Sequence, residues 1–408
     1  MKTGTPGFVG LRLKEAREAR AISLSSLGEV LGVTRQAVSR YESSERSPSP
    51  DVMRRICERL NLPMQFFLMP AREERHQAIF YRSMASTTQV ARTKAERRYA
   101  WLRDIVAFLR GYLKFSQLRF PNFELPSDPL KITDAQIREF ALETRRFWGL
   151  GNGPISNIAW LLENCGAIVS RFDLDSEKLD AFSEWNPEDN TPYVILNSAK
   201  NSAARSRFDI AHELGHLILH RTVDNKSLKK KEIFSVVENQ AHLFAGEFLL
   251  PKNSFAQDLN SFSLESFKGM KAKWKLSIGF LIKRAGNIGL ISPEHETQLW
   301  KNRSARGWTK REPLDDVIEP ELPRLLRQSF DVLFEHKVIV LHDIPFRLGL
   351  EPKDVEDLAG LPAGYLDKSS SEVGLVRLKE PRDNSEVDPV PSRSDVMRFP
   401  GLQKRKTS

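Results

Sequence analysis

The stretch 208-FDIAHELGHLILH-220 carries the spacing on which the expected fold and chemistry depend. It contains the pattern His-Glu-x-x-His at His212, Glu213 and His216, within a run typical of a helix. Residues four apart on a helix lie one turn above each other on one face, so both imidazoles can reach one metal ion. Glu213, next to the first histidine, can then act as a general base beside that ion. The spacing predicts a zinc helix with His212 and His216 as ligands and Glu213 as the catalytic residue.

Strand-like runs precede this helix at 167-AIVSRFD, 180-DAFSEW and 193-YVILN, separated by turn residues. The order of strands followed by a metal helix is similar to that of zincin-type peptidases. Backbone pairing with a strand can hold an extended peptide whatever its sequence. Either of the last two runs could lie beside a bound peptide, and the pattern does not choose between them.

A third ligand is expected, because catalytic zinc takes three protein ligands and leaves one position for water. Downstream, 238-ENQAHLFAGEFLLP-251 predicts a helix whose small Ala241 and Ala245 would allow close approach to the metal helix. The two runs RSRFDIAHELGHLILH and ENQAHLFAGEFLLP together resemble the ImmA/IrrE family of metallopeptidases, over roughly residues 130–290. That resemblance implies that Glu238 is the third zinc ligand. It also implies cleavage of transcriptional repressors, often helix-turn-helix proteins.

Other side chains near these motifs are candidates for supporting roles. His242 stands where the family often has Asn or Asp, and is expected either to hydrogen-bond a ligand or to lie unused on the surface. His220 is one turn beyond His216 and is expected to support a ligand or cap the helix rather than bind metal. Tyr193 and His242 are candidates for stabilising the oxyanion. Glu247 is expected in a surface ion pair.

The N-terminal residues 8–70 show several short helical patterns with enough apolar positions for a small core. Gly32 lies where a tight turn needs positive φ, and Thr34 is expected to cap the helix that follows. This segment, including 33-VTRQAVSRYESSERSPSPDVM-53, resembles the Cro/C1-type (XRE) helix-turn-helix family. Arg and Gln make bidentate contacts to base edges in the major groove, and a recognition helix presents its first turns there. The expected base or phosphate contacts are Arg35, Gln36, Ser39 and Arg40.

The predicted fold class is α+β and mostly helical. The expected segments are an all-α Cro/C1-type DNA-binding domain at 1–70, a basic amphipathic helical spacer at 71–128, a zincin-like α/β metallopeptidase domain of ImmA/IrrE type at 129–295, a small accessory α/β region at 296–380 with strands at 337-KVIVLHD and 373-VGLVRL, and a disordered tail at 381–408.

Composition indicates a soluble, multidomain chain. The 408 residues are 40% hydrophobic and 28% charged, and no apolar run is long enough for a bilayer span or a signal peptide. The 2 cysteines lack metal-type spacing and are typical of a reducing cytoplasm, which is the expected location. The net charge of +9 is consistent with an anionic partner such as DNA.

These patterns predict a DNA-binding transcriptional regulator with a zinc-dependent endopeptidase domain. It would bind a double-stranded DNA operator as a homodimer and cleave a helix-turn-helix repressor, so controlling stress or mobile-element genes. Two alternatives stay open: a transcription factor whose zinc domain is a non-proteolytic sensor, and an antitoxin-like or phage-defence regulator.

Overall fold

The computed structural model describes residues 4–71, 80–81, 88–126, 128–176, 179–199, 202–223, 225–340 and 343–367. These residues form two compact units. The first, the head unit, holds the described residues of Met1–Glu73, Thr88–Phe115 and Leu326–Ser408. The second, the body unit, holds those of Glu74–Thr87 and Ser116–Leu325. In the described part of the chain no helix is both long and apolar enough to cross a membrane.

The chain is mostly helical with one mixed sheet, which confirms the predicted α+β class. The helices are α1 (Gly10–Ala19), α2 (Leu24–Leu31), α3 (Arg35–Glu42), α4 (Pro50–Leu60), α5 (Gln89–Arg110), α6 (Asp134–Phe147), α7 (Ile158–Asn164), α8 (Ala203–Leu219), α9 (Asn225–Leu228), α10 (Lys231–Leu249), α11 (Lys252–Asp258), α12 (Leu264–Trp274), α13 (Ile278–Asn287), α14 (Pro293–Ala305), α15 (Leu325–Glu335), α16 (Asp343–Leu348) and α17 (Pro352–Ala359). The strands are β1 (Phe80–Tyr81), β2 (Ile168–Phe172), β3 (Ala181–Asn186) and β4 (Thr191–Asn197).

Local sequence signals set the turn between α2 and α3. Gly32 ends α2 in the left-handed region at φ 64°, where a residue without Cβ carries no steric penalty. Thr34 then begins α3, because its side chain accepts a hydrogen bond from the backbone N–H of Ala37 at 3.1 Å. Leu27, Leu31 and Val38 are fully buried and hold the two helices on a common core.

Helix α5, predicted as part of a spacer, packs within the head unit. Its apolar stripe, which includes Trp101 and Ile105, is fully buried. The indole N–H of Trp101 donates to Glu15 of α1 at 2.8 Å, and Arg97 forms an ion pair with Glu18 at 2.8 Å. The basic face of α5 is therefore partly used in ion pairs inside this unit.

The C-terminal region predicted at 296–380 is divided between the units, with α14 in the body and α16 and α17 in the head. The expected strand at 337-KVIVLHD is wrong for residues 337–340, which end α15 instead. There the N–H of Val338 bonds to the carbonyl of Leu333 at 2.9 Å, and Lys337 takes φ 53°. This is a helix-terminating arrangement that an apolar residue commonly completes. The runs 373-VGLVRL and 381–408 lie outside the described residues.

The body unit is built on the sheet, whose strand order is β1-β3-β4-β2. Strands β3 and β4 are antiparallel, with Ser183 opposite Val194, whereas β2 and β4 are parallel. Every residue of β3 and β4 is buried, and α8 packs against both strands. The indole N–H of Trp185 on β3 donates to the carbonyl of Leu217 on α8 at 2.8 Å, which fixes the metal helix against the sheet.

Helices α8 and α10 approach closely at Gly215. A Cβ at this position would lie 3.1 Å from both Cα and O of Ala241. Small residues on both helices therefore set the spacing that brings the His-Glu-x-x-His face of α8 to α10. The sequence predicts this close approach at Ala241, but it gives no signal for the matching role of Gly215.

Candidate metal centre

Two turns of α8 and one of α10 bring three candidate metal ligands together. The Nε2 atoms of His212 and His216 lie 3.0 Å apart. Each lies 3.3 Å from a different carboxylate oxygen of Glu238. Both histidines are fully buried, and the Glu238 side chain is 14% exposed. The structure thus brings together the three residues that the sequence singled out as ligands.

The spacing of these atoms fits a tetrahedral metal. Zinc bonds to nitrogen and oxygen of about 2.0–2.2 Å give a ligand–ligand separation of roughly 3.3 Å in a tetrahedron. The observed 3.0 and 3.3 Å are close to that value. Two imidazole nitrogens and one carboxylate are a donor set typical of catalytic zinc.

A buried hydrogen-bond chain fixes the tautomer of His216. The amide Nε2 of Gln240 lies 2.7 Å from the carbonyl oxygen of Pro129 and must donate, so its Oε1 accepts. The Nε2 of His220, 2.9 Å from that Oε1, then donates and its Nδ1 accepts. His216 donates from Nδ1 to His220 Nδ1 at 3.1 Å. The Nε2 of His216 consequently presents a lone pair to the cluster, as a metal ligand must.

Burial disfavours the charged forms of His212 and His220. It lowers the pKa of His220 to about 3, with the neighbouring His216 acting in the same direction. It also holds the pKa of His212 well below its usual value. Burial alone would raise the pKa of Glu238, but the adjacent His212 and His216 side chains hold that pKa below the usual range. A neutral imidazole and an ionised carboxylate are the protonation states that bind zinc.

The carboxylate of Glu213 is positioned by a residue that the sequence reading missed. Ser183 on β3 donates from its hydroxyl to Glu213 Oε2 at 2.6 Å, and both side chains are fully buried. An isolated serine in a strand-like run carries no signal for this role, because its partner lies 30 residues further along the chain. Of the two candidate strands, β3 therefore provides a hydrogen bond to Glu213.

The remaining candidates lie at different distances from the cluster. His242 is exposed, and a nitrogen of its ring lies within 4.8 Å of the ligand atoms of His212 and Glu238. Its Nδ1 is 3.1 Å from the backbone carbonyl of Glu238, so it is a weaker candidate ligand than His216. Tyr193 is buried, and its hydroxyl donates to Asp189 at 3.3 Å.

Glu247 forms an ion pair, as expected, but in the interior rather than on the surface. Its side chain is 4% exposed and pairs with Arg284. It also accepts a hydrogen bond from the backbone N–H of Lys252 at 2.9 Å, which joins α10 to α11. This carboxylate therefore stabilises the end of α10.

The residues expected to contact DNA lie on the first turns of α3. All four are exposed: Arg35, Gln36, Ser39 and Arg40. Their neighbour Val38 is fully buried and anchors the helix. The exposed face therefore carries two cationic and two polar side chains, which are of the types that contact base edges and phosphates.

Two family models match this chain. The IrrE N-terminal-like domain of the peptidase M78 family matches residues 162–285, which include the whole cluster around His212. A helix-turn-helix model matches residues 13–67, which include α3. These matches confirm both resemblances inferred from the sequence.

Curated relatives are similar over short segments. An HTH-type transcriptional regulatory protein of Methanocaldococcus jannaschii is 47% identical over 55 residues, or 14% of this chain and 17% of that protein. The HTH-type transcriptional regulator SutR of Escherichia coli is 35% identical over 63 residues, or 15% of this chain and 35% of that protein. This chain therefore matches well under half the length of either relative.

Among solved structures, Bacillus thuringiensis PlcR in complex with the peptide PapR7 and DNA aligns with 89% of this chain and 92% of that chain. The identity is 12% and the TM-score 0.15, a value too low to indicate a shared fold.

Proposed function

We propose that this chain, which joins an XRE-type helix-turn-helix domain to an IrrE N-terminal-like peptidase domain, is a DNA-binding regulator that hydrolyses a protein substrate. The substrate class we propose is a helix-turn-helix repressor, whose cleavage would release stress or mobile-element genes. The observation that carries the proposal is the convergence of His212, His216 and Glu238 beside the oriented carboxylate of Glu213.

The proposed metal is zinc, held by His212, His216 and Glu238. Bound zinc supplies a Lewis acid that polarises the peptide carbonyl and makes an attacking water more acidic. Glu213 takes the proton as the water oxygen bonds to the carbonyl carbon, and gives it to the amine as the C–N bond breaks. Ser183 positions Glu213 by holding one of its oxygens at 2.6 Å.

The remaining side chains have supporting roles in this proposal. His220 and Gln240 hold His216 in the tautomer that leaves its Nε2 available. His242, exposed beside the cluster, is the candidate for stabilising the oxyanion, since the hydroxyl of Tyr193 is engaged with Asp189.

The proposed DNA partner is a double-stranded operator read by α3. Arg35 and Gln36 would contact base edges, and Ser39 and Arg40 would contact bases or phosphates. All four are exposed on a helix whose N-terminus is capped by Thr34. A homodimer on a palindromic site is the proposed assembly, because helix-turn-helix proteins commonly match operator symmetry with their own.

The test combines zinc content with cleavage of helix-turn-helix repressors from neighbouring genes. We expect stoichiometric zinc in the wild type, and a Glu213→Gln variant that retains zinc but loses cleavage by about 100- to 10,000-fold, the range for a general base. Glu232→Gln is the matched control, since Glu232 is exposed on α10.

The alternative function as a sensor predicts a different result. Zinc would then be bound, but the wild type and Glu213→Gln would both leave every repressor intact. Absence of stoichiometric zinc from the wild type would contradict both readings of the centre.

A further inference from the structure

A peptide strand could be added next to Glu213 by backbone pairing with β3. Among the described residues, the outer edge of β3 is the only edge that could accept such a strand. The other edge of β3 is already paired with β4, from Ala181 opposite Leu196 to Asn186 opposite Thr191. Ser183, in the middle of β3, bonds to the Glu213 carboxylate at 2.6 Å. A peptide paired with the outer edge at Ser183 would therefore run past the catalytic carboxylate.

That edge already carries a segment of the chain itself. Strand β1 pairs antiparallel with β3, with Phe80 opposite Ser183 and Tyr81 opposite Phe182. Residues directly opposite in an antiparallel pair have Cα atoms about 4.5–5.5 Å apart. The backbone of Phe80 thus lies one strand spacing from the residue that holds Glu213.

A docked peptide and β1 need the same backbone groups of β3, so they exclude one another. Antiparallel addition to an exposed edge is a general way to hold an extended peptide, because main-chain hydrogen bonds supply the affinity. The segment 78-AIFY-81 is apolar and ends in aromatic residues, which favour strands. A tethered segment also competes at an effective concentration of about 1 mM when its linker is short.

We propose that the connector strand Phe80–Tyr81 occupies the substrate edge of β3 and keeps the peptidase closed until a substrate strand displaces it. The description of this edge as a substrate-binding edge rests on the proposed peptidase function. The proposal predicts that β1 and an added peptide compete for pairing with β3. This competition can be measured without substrate cleavage.

The experiment measures binding of a fluorescent peptide with the sequence of residues 76–85 to the full-length, zinc-loaded protein. All proteins carry Glu213→Gln, so the peptide is not consumed and a failure of the peptidase assignment does not affect the result. The opening variant is Phe80→Pro/Tyr81→Pro, because proline cannot donate to the ladder and is excluded from paired strands.

We expect the peptide to bind the proline variant at least about tenfold more tightly than the parent, as a freed edge no longer meets the tethered competitor. The control Phe80→Val/Tyr81→Thr keeps the backbone donors and the strand preference, and should bind like the parent. Equal affinity of parent and proline variant would overturn the proposal, as would no binding to either. Tighter binding to the Val/Thr control would also overturn it, since side chains rather than backbone pairing would then hold the edge.

Circular dichroism first establishes that the proline variant is folded. If it is not, Phe80→Gly/Tyr81→Gly replaces it, because glycine weakens a strand while keeping its N–H groups. This variant should shift the affinity in the same direction by a smaller factor. Affinity equal to that of the parent would then overturn the proposal.

Discussion

The head and body units place their candidate functional side chains in opposite environments. On α3 of the head, Arg35 and Gln36 are exposed and depend mainly on the helix backbone for their position. In the body, His212, Glu213 and His216 have no exposed surface and are part of the same core as the apolar residues of α8. Substitution in the head should therefore change recognition alone, whereas substitution in the body should change chemistry and stability together.

The largest expected effect follows from His216→Ala in the body. It removes one proposed zinc ligand and leaves His220 without its partner at 3.1 Å, in a fully buried site. Zinc affinity should fall by about 100-fold or more, and the thermal midpoint should fall as well. Chelator competition and thermal unfolding measure the two effects, with exposed His336 as the site of a matched His→Ala control. Unchanged zinc affinity would remove His216 from the proposed ligand set.

Arg35→Ala and Gln36→Ala provide the contrasting case in the head. Each should weaken operator binding by about 10- to 100-fold, the usual cost of a lost base contact. Thermal midpoint and zinc content should stay at wild-type values, because both side chains are exposed. Operator titration measures the affinity, and Arg59→Ala on α4 is the charge-matched control. A large fall in the thermal midpoint would contradict the contrast between the two units.

The features predictable from the sequence are those set by local spacing. The i, i+4 histidines, the Thr34 cap and the Gly32 turn each depend on residues within a few positions. The family resemblance supplied Glu238, which spacing alone left unassigned. Local spacing and the two family resemblances together were sufficient to predict the helix-turn-helix domain and the peptidase domain.

The missed features depend on contacts between distant segments. Ser183 meets Glu213 across 30 residues, and Gln240 meets Pro129 across 111. Arg20, directly after α1, pairs with Asp354 of α17 at 2.6 Å, which helps to join the C-terminal helices to the head unit. No periodicity encodes such partners, since each side chain alone fits an ordinary strand or helix. The apolar run at residues 337–340 was wrongly predicted as a strand, because its apolar residues complete the end of α15 instead.

A smaller expected effect tests whether the buried chain behind His216 is functional. Gln240→Leu removes the acceptor for His220 and the donor to Pro129, while keeping a buried side chain of similar size. Zinc affinity should fall by roughly tenfold, within the range for residues that orient a ligand and below the loss expected for His216→Ala. The same substitution at exposed Gln257 is the control. Wild-type zinc affinity in Gln240→Leu would show that His216 needs no such support.

The smallest expected effect concerns the pH dependence of the body's stability. Glu163 on α7 is 3% exposed and accepts hydrogen bonds from the backbone N–H groups of Arg324 and Leu325. Burial outweighs these bonds and raises its pKa from 4.5 to about 7. The folded state then binds a proton more readily than the unfolded state between these two values, so stability is fully present below pH 4.5 and is lost as pH rises through 7.

The slope from one such group is at most about 1.4 kcal/mol per pH unit. Glu163→Gln keeps a neutral side chain at every pH, so it should flatten this decline. Urea unfolding at pH 5, 6, 7 and 8 measures the difference from the wild type, and Glu232→Gln should keep the wild-type slope because Glu232 is exposed. If Glu163→Gln and the wild type lose stability in parallel, the raised pKa of Glu163 is not the cause. The buried site of the body and the exposed face of α3 would then differ in burial and packing, but not in the pH dependence of stability.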